Sequence, residues 1–181
     1  MAAQTYAAFL RGVNLGTQRR VKMVELRELL RGHGHGDVET YLQSGNVVLE
    51  SRLSAAKLEQ SLESQLAEGL GFEVDVLVRS GRELVEVVNR NPLRAVAKDP
   101  AKYLVTFLRA KPAVRLVTRL RALELAPEEL VVAGRELYSW HPGGVGRSKL
   151  AKMLLPNALG VSASARNWRV VEHLALLASE G

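Results

Sequence analysis

The chain has 181 residues, is 47% hydrophobic, holds no cysteine and carries a formal net charge of +6. That length and apolar fraction support a substantial core, in one domain or two small ones, and the missing cysteine excludes disulfides, thiolate nucleophiles, iron–sulfur clusters and cysteine zinc sites. No run of about 18 apolar residues occurs, and the N-terminus lacks the basic and apolar regions of a signal peptide, so a cytoplasmic protein with no membrane partner is expected.

The first elements follow from hydrophobic period. "TYAAFLRG" reads as a strand, and after a long loop "RVKMVELRELLRGHG" reads as a helix with Met23, Leu26, Leu29 and Leu30 on one face. "VETYLQ" and "VVLES" are two short strands joined at "SGN", where Gly and Asn tolerate positive φ and signal a hairpin. Leu58, Leu62, Leu66 and Leu70 recur every four residues in a helix entered at Ser54 and stopped at Gly71. "EVDVLVR" returns as a strand, and Ser80 with Glu83 forms a capping box for the helix that follows. "NRNPLRAVAKDP" reads as a linker.

The second half repeats this order in pattern, though not in sequence. Strand "KYLVTFLRA" precedes helix "PAVRLVTRLRAL", strands "ELVVA" and "ELYSW" meet at "GR", and helix "SKLAKMLL" is interrupted at Pro156. A last helix is expected to begin near Asn167, with Arg166 and Trp168 beside it and Val170, Val171, Leu174 and Leu177 as its apolar stripe. The expected fold is therefore α+β: two tandem ferredoxin-like halves (split βαβ, α/β plaits) with additional helices, in domains 1–92 and 93–181. On this pattern each half is a βαββα unit, the first completed by its own fourth strand.

Topology then groups residues that the sequence separates. In a split βαβ plait the first two strands run parallel, so the loop after the first strand and the hairpin after the second share one end of the sheet. Arg11, Asn14, Arg19, Arg20, Gln43, Ser44 and Asn46 should meet at that rim, a mixture of cations and amides suited to an anion or a small polar molecule.

The stretches "RGVNLG", "VKMVELRELL", "TYLQSGNVV", "GVGRSKL" and "RNW" resemble, in that order, the bacterial domain of unknown function 1697 family, from Tyr6 to about Leu177. The resemblance implies an α+β fold with two plait-like halves and a soluble bacterial protein. It transfers no catalytic residues. This sequence has "GTQRR" where a more glycine-rich run is typical of the family, which adds positive charge to the rim, and "SASARNW" where "ATTRNW" is typical.

The charge is uneven: residues 1–100 hold 13 basic and 13 acidic side chains, whereas residues 101–181 hold 12 and 6. Within the basic half, "PGGVGRSKL" has two readings. Its glycines, Arg147, Ser148 and Lys149 suit an anion at a helix start; alternatively Ser148 caps the helix and the cations face water. It is not a P-loop, because Arg147 follows Gly146 and His141 stands where the first glycine belongs. Arg166 and Asn167 are further candidate ligand groups, with Asn167 also a good N-cap. Trp168 reads as a core or interdomain anchor, because one aromatic rarely makes a stacking platform.

His33 and His35 are two residues apart at a helix end, but no third ligand at a recognisable spacing joins them, so no metal site is expected. Neither a catalytic motif nor a cofactor motif is present, and the cofactor is left unknown. The leading expectation is an anion-binding protein taking a phosphate-bearing small molecule or a nucleic-acid backbone. Two alternatives stand beside it: an enzyme of unidentified chemistry using Asn14, Gln43, Ser44 and Asn46, and a structural or interaction protein.

Overall fold

The computed structural model describes residues 2–14 and 19–179. The described residues form eight strands and seven helices: β1 (Gln4–Leu10), α1 (Met23–Gly32), β2 (Gly36–Tyr41), β3 (Asn46–Ser51), α2 (Ala55–Leu70), β4 (Val76–Ser80), α3 (Gly81–Arg90), β5 (Tyr103–Leu108), α4 (Val114–Arg121), β6 (Glu129–Ala133), β7 (Glu136–Trp140), α5 (Lys149–Met153), α6 (Pro156–Leu159), β8 (Ala163–Asn167) and α7 (Trp168–Ser179). Two antiparallel four-stranded sheets result, ordered β2-β3-β1-β4 and β6-β7-β5-β8. Each half is βαββαβ, an α+β arrangement of tandem ferredoxin-like units. By packing, residues up to Glu86 and from His173 onward form one unit, and Val87–Glu172 form the other. Among the described residues no helix is long and apolar enough to cross a membrane.

In the first unit, alternation along the strands sends Tyr6, Ala8 and Leu10 of β1, Val47 and Leu49 of β3, and Val76 and Val78 of β4 to one face. There they meet Leu26 and Leu30 of α1 and Leu58, Leu62 and Leu66 of α2. Gly71 ends α2 at φ 76°, its N–H donating to the carbonyl of Ala67. Ala7, Phe9, Val48, Leu77 and Arg79 on the other face are also buried, which accounts for the unbroken apolar runs in β1 and β4. At the start of α3 the capping box is present. Ser80 N–H donates to Glu83 Oε2 at 2.8 Å, and Glu83 N–H donates to Ser80 Oγ at 3.3 Å.

The second unit departs from the expected βαββα order. Residues 163–167 form a strand that pairs antiparallel with β5 from Leu104↔Asn167 to Leu108↔Ala163. Arg166 therefore lies on a strand, and the final helix starts at Trp168. "ASARN" has no β-branched residue to announce a strand, and only the open edge of β5 makes it one. Asn167 does cap the helix, its Oδ1 accepting from Val170 N–H at 3.0 Å. Trp168 is buried and stacks on Tyr103, ring centroids 4.7 Å apart, so it anchors this unit's core.

The two units share devices at the ends of their central strands. Leu10 N–H donates to the carbonyl of Gly45 and Leu108 N–H to that of Arg135, both at 2.8 Å; Arg11 N–H donates to Asp75 and Arg109 N–H to Ser162, both at 2.9 Å. In each unit these bonds tie the central strand to its hairpin and to the segment entering its fourth strand. What differs lies around them. The first unit has a long loop after β1 and a 16-residue helix α2; the second has a short loop after β5, and its counterpart of α2 is broken into a 3-10 turn, α5 and α6. Pro142, Gly143 and Gly144 delay the helix start, and Pro156 restarts it.

Gly45 is required where the hairpin meets β1. It has φ +73°, and a Cβ there would lie 2.5 Å from Val13 Cγ2 and 2.8 Å from Leu10 Cβ. Gly45→Ala should cost more than about 2 kcal/mol, from left-handed strain plus overpacking. Urea unfolding of the purified variant tests this, and an unchanged midpoint would contradict the packing described.

Candidate functional site

The loop after β1 and the β2–β3 hairpin do share one end of the sheet, and the Asn14 side chain is bonded to both. Asn14, at φ 56°, accepts from Val21 N–H through Oδ1 at 2.8 Å. Its Nδ2 donates to the carbonyls of Val21 at 2.9 Å and Gln43 at 2.8 Å. The amide thus pairs with Val21 as a neighbouring strand would, and its second N–H reaches the hairpin. Both Nδ2 donors are engaged in holding the loop.

The other rim residues divide by partner. Arg11 is paired with Asp75 at 2.8 Å. The guanidinium of Arg19 sits 5.6 Å from the centre of the Phe72 ring, a cation–π contact. Asn46 is fully buried, with Nδ2 donating to the Tyr41 carbonyl and to Ser44 Oγ, both at 2.9 Å, so it closes the hairpin from inside. Arg20 and Gln43 remain exposed. Together with Asn14, Lys22 and Met23 they line a cavity of about 490 Å³, and no carboxylate belongs to its described lining. Lys22 is fully exposed and bonded to Glu25 at 2.8 Å, which raises its pKa.

In the second unit, Arg147, Ser148 and Lys149 lie together on a groove of about 440 Å³. The glycines of "PGGVGRSK" lie in a turn, and residues Val145–Arg147 make one 3-10 turn. Ser148 is the N-cap of α5, accepting from Ala151 N–H at 2.8 Å. Arg147 and Lys149 flank that cap in sequence and are exposed. Arg166 and Asn167 are not part of this lining. The guanidinium of Arg166 donates to Ser164 Oγ at 2.7 Å and to the Ala165 carbonyl at 2.8 Å, and burial pulls its pKa down to about 10.

Sequence reasoning missed the group behind the groove. His141 is fully buried, with Nδ1 2.8 Å from Ser148 Oγ and 3.3 Å from Glu128 Oε1, and Nε2 2.9 Å from Ser139 Oγ. The tautomer that satisfies this network has Nδ1–H facing Ser148 and Glu128, and Nε2 accepting the Ser139 hydroxyl. Ser139, His141 and Glu128 then fall in the order of a hydrolytic triad, yet Ser139 and His141 have no exposed surface for a substrate to reach. The network instead fastens two chain segments together, because Glu128 Oε2 also accepts from Leu150 N–H at 3.2 Å. These residues come from separate segments with no local signature, and only the short Ser139–His141 spacing on one strand face hints at them.

A cavity of about 540 Å³ beside β2 includes His33 and His35. His35 is buried and bonded to Gln65, whose amide in turn donates to Ser61. Among the described residues no group of three or more His, Asp or Glu is placed to hold a metal ion.

Two comparisons bear on the chain as a whole. The sequence model of a family described as "Protein of unknown function (DUF1697)" matches residues 3–138. The solved structure of conserved bacterial protein SP0830 from Streptococcus pneumoniae is similar with a TM-score of 0.80 and 24% identity, over 98% of this chain and 99% of that one. At that identity the likeness concerns the fold. No curated protein matches the sequence.

The His141 network sets a pH dependence. Burial lowers the His141 pKa from 6.5 against the opposing pull of Glu128, so the folded state favours the neutral ring. Burial would raise Glu128, but hydrogen bonds from Ser148, Leu150 N–H and His141 outweigh it and leave the carboxyl below 4.5. The stability tied to neutral His141 is present above pH 6.5 and lost as pH falls towards its depressed folded value. That tied to ionised Glu128 is lost further down, as pH falls through its own lowered pKa. Thermal melts between pH 7.5 and 5 should show Tm falling on acidification, and falling less in His141→Gln; equal slopes would contradict this assignment.

Proposed function

This chain belongs to the DUF1697 family of proteins of unknown function, and from its geometry we propose that it is a binding protein for a phosphate-bearing small molecule, held at the rim of the first unit. One observation carries the reading: the Asn14 amide fixes the loop against the hairpin so that Arg20 and Gln43 face one cavity without a carboxylate in its described lining. Arg20 is exposed and in no ion pair among the described residues. A guanidinium of this kind offers a planar fork of donors to phosphate oxygens, and the Gln43 amide adds a neutral donor beside it. At about 490 Å³ the cavity falls within the ~300–1,000 Å³ typical of small-molecule sites.

A concave site supports a metabolite over an extended nucleic-acid backbone, as does the 5% aromatic content, which provides little for bases to stack on. Calorimetric titration with a sugar phosphate and with a short single-stranded DNA, each at two salt concentrations, tests the proposal. The sugar phosphate should bind, with affinity reduced about tenfold or more in Arg20→Ser and in Gln43→Ala. Binding of the DNA alone, falling steeply with salt, would replace the metabolite with a nucleic-acid backbone. Unchanged affinity in Arg20→Ser would remove the site from this rim.

A further inference from the structure

The groove of the second unit has a different chemistry from the rim. Its lining comes from two chain segments, one running Leu123–Glu128 after α4 and the other Pro142–Lys149, with Met153 of α5. Three exposed charges border it: Glu124, Arg147 and Lys149. None of the three is in an ion pair among the described residues. Glu128 is different, because its carboxylate has only 18% exposure and is engaged by His141 and Leu150 N–H. Between the charges lies apolar surface. Leu123 and Leu125 are half-buried at the edge of the core formed by Leu116, Leu120 and Leu150, and Met153 is half-buried beside them.

Charges of both signs on one apolar groove restrict what can satisfy it. A phosphate would place its negative charge in a lining that also contains Glu124, and a simple amine would face Arg147 and Lys149. A hydrocarbon would leave all three charges without partners. A molecule with a carboxylate, an ammonium group and an apolar side chain matches each part, forming charge-assisted bonds through its two charged groups and covering the leucines and methionine. The Glu128–His141–Ser148 network holds the two segments in fixed relation, so the groove is formed before any ligand arrives. We propose that this groove is a binding site for an apolar α-amino acid, with Arg147 and Lys149 receiving the carboxylate, Glu124 the ammonium, and Leu123, Leu125 and Met153 the side chain.

Calorimetry or ligand-observed NMR with L-leucine tests this on the intact chain, using three truncated relatives as controls. These are 4-methylpentanoate, which lacks the ammonium, 3-methylbutylamine, which lacks the carboxylate, and glycine, which lacks the side chain. L-Leucine should bind about tenfold or more tightly than any of the three. Glu124→Gln should weaken L-leucine and not 4-methylpentanoate, while the double variant Arg147→Ser, Lys149→Ser should weaken L-leucine and not the amine. All three side chains are exposed, so the variants should retain the fold, and Arg20→Ser should leave L-leucine binding unchanged. Equal binding of 4-methylpentanoate and L-leucine with no effect of Glu124→Gln would overturn the proposal, as would absence of L-leucine binding at millimolar concentration.

Discussion

The side chain of Asn14 makes three hydrogen bonds, two to Val21 and one to Gln43, and the first unit's rim depends on them. A loop this long after β1 would otherwise carry a large ordering cost, because each residue fixed loses backbone freedom. Asn14 adopts a left-handed backbone conformation, which asparagine tolerates better than most residues, and from there its amide pairs with a peptide unit seven positions ahead. Val21 and Met23 then lie in the core, α1 begins at Met23, and Arg20 lies with Gln43 on the rim cavity. The same group that stabilises the loop thereby gathers the candidate ligand residues.

The two units apply one plan and vary it in complementary places. Both tie the end of the central strand to its hairpin and to the segment before the fourth strand by the same pair of backbone bonds. In the first unit the variation is an extended loop after β1, and the rim cavity forms there. In the second that loop is short, and the second crossover is broken by glycines and Pro156, so a groove opens where the first unit has continuous helix. Each break exposes backbone groups that need partners. Ser148 supplies one by capping α5, and Glu128 supplies another by accepting from Leu150 N–H, while His141 holds both side chains from inside.

Most of the fold was legible because it rests on periodicity. The leucine spacing of α2, the alternation of the buried strands and the Ser80–Glu83 box are all local signals, and each corresponds to what the backbone does. Strand β8 was not legible, because Ala163–Asn167 has little strand propensity of its own and is organised by the edge of β5. For the candidate sites, topology brought the β1 loop and the hairpin together but could not tell which polar groups face outward. Asn14 and Asn46 have the composition of ligand residues, whereas their amides are engaged by the backbone around them. The His141 network was hidden for a related reason: Glu128 and Ser148 reach His141 by packing of separate segments, and only Ser139 lies at a local spacing from it.

The most direct test of the account is an Asn14→Ala variant, followed by amide hydrogen exchange at Val21 and by sugar-phosphate titration of the same sample. If the Asn14 amide organises the rim, Val21 N–H should lose protection while β1 and β3 keep theirs, and affinity should fall although Arg20 and Gln43 are intact. Retained affinity alongside lost Val21 protection would contradict the claim that this side chain builds the site.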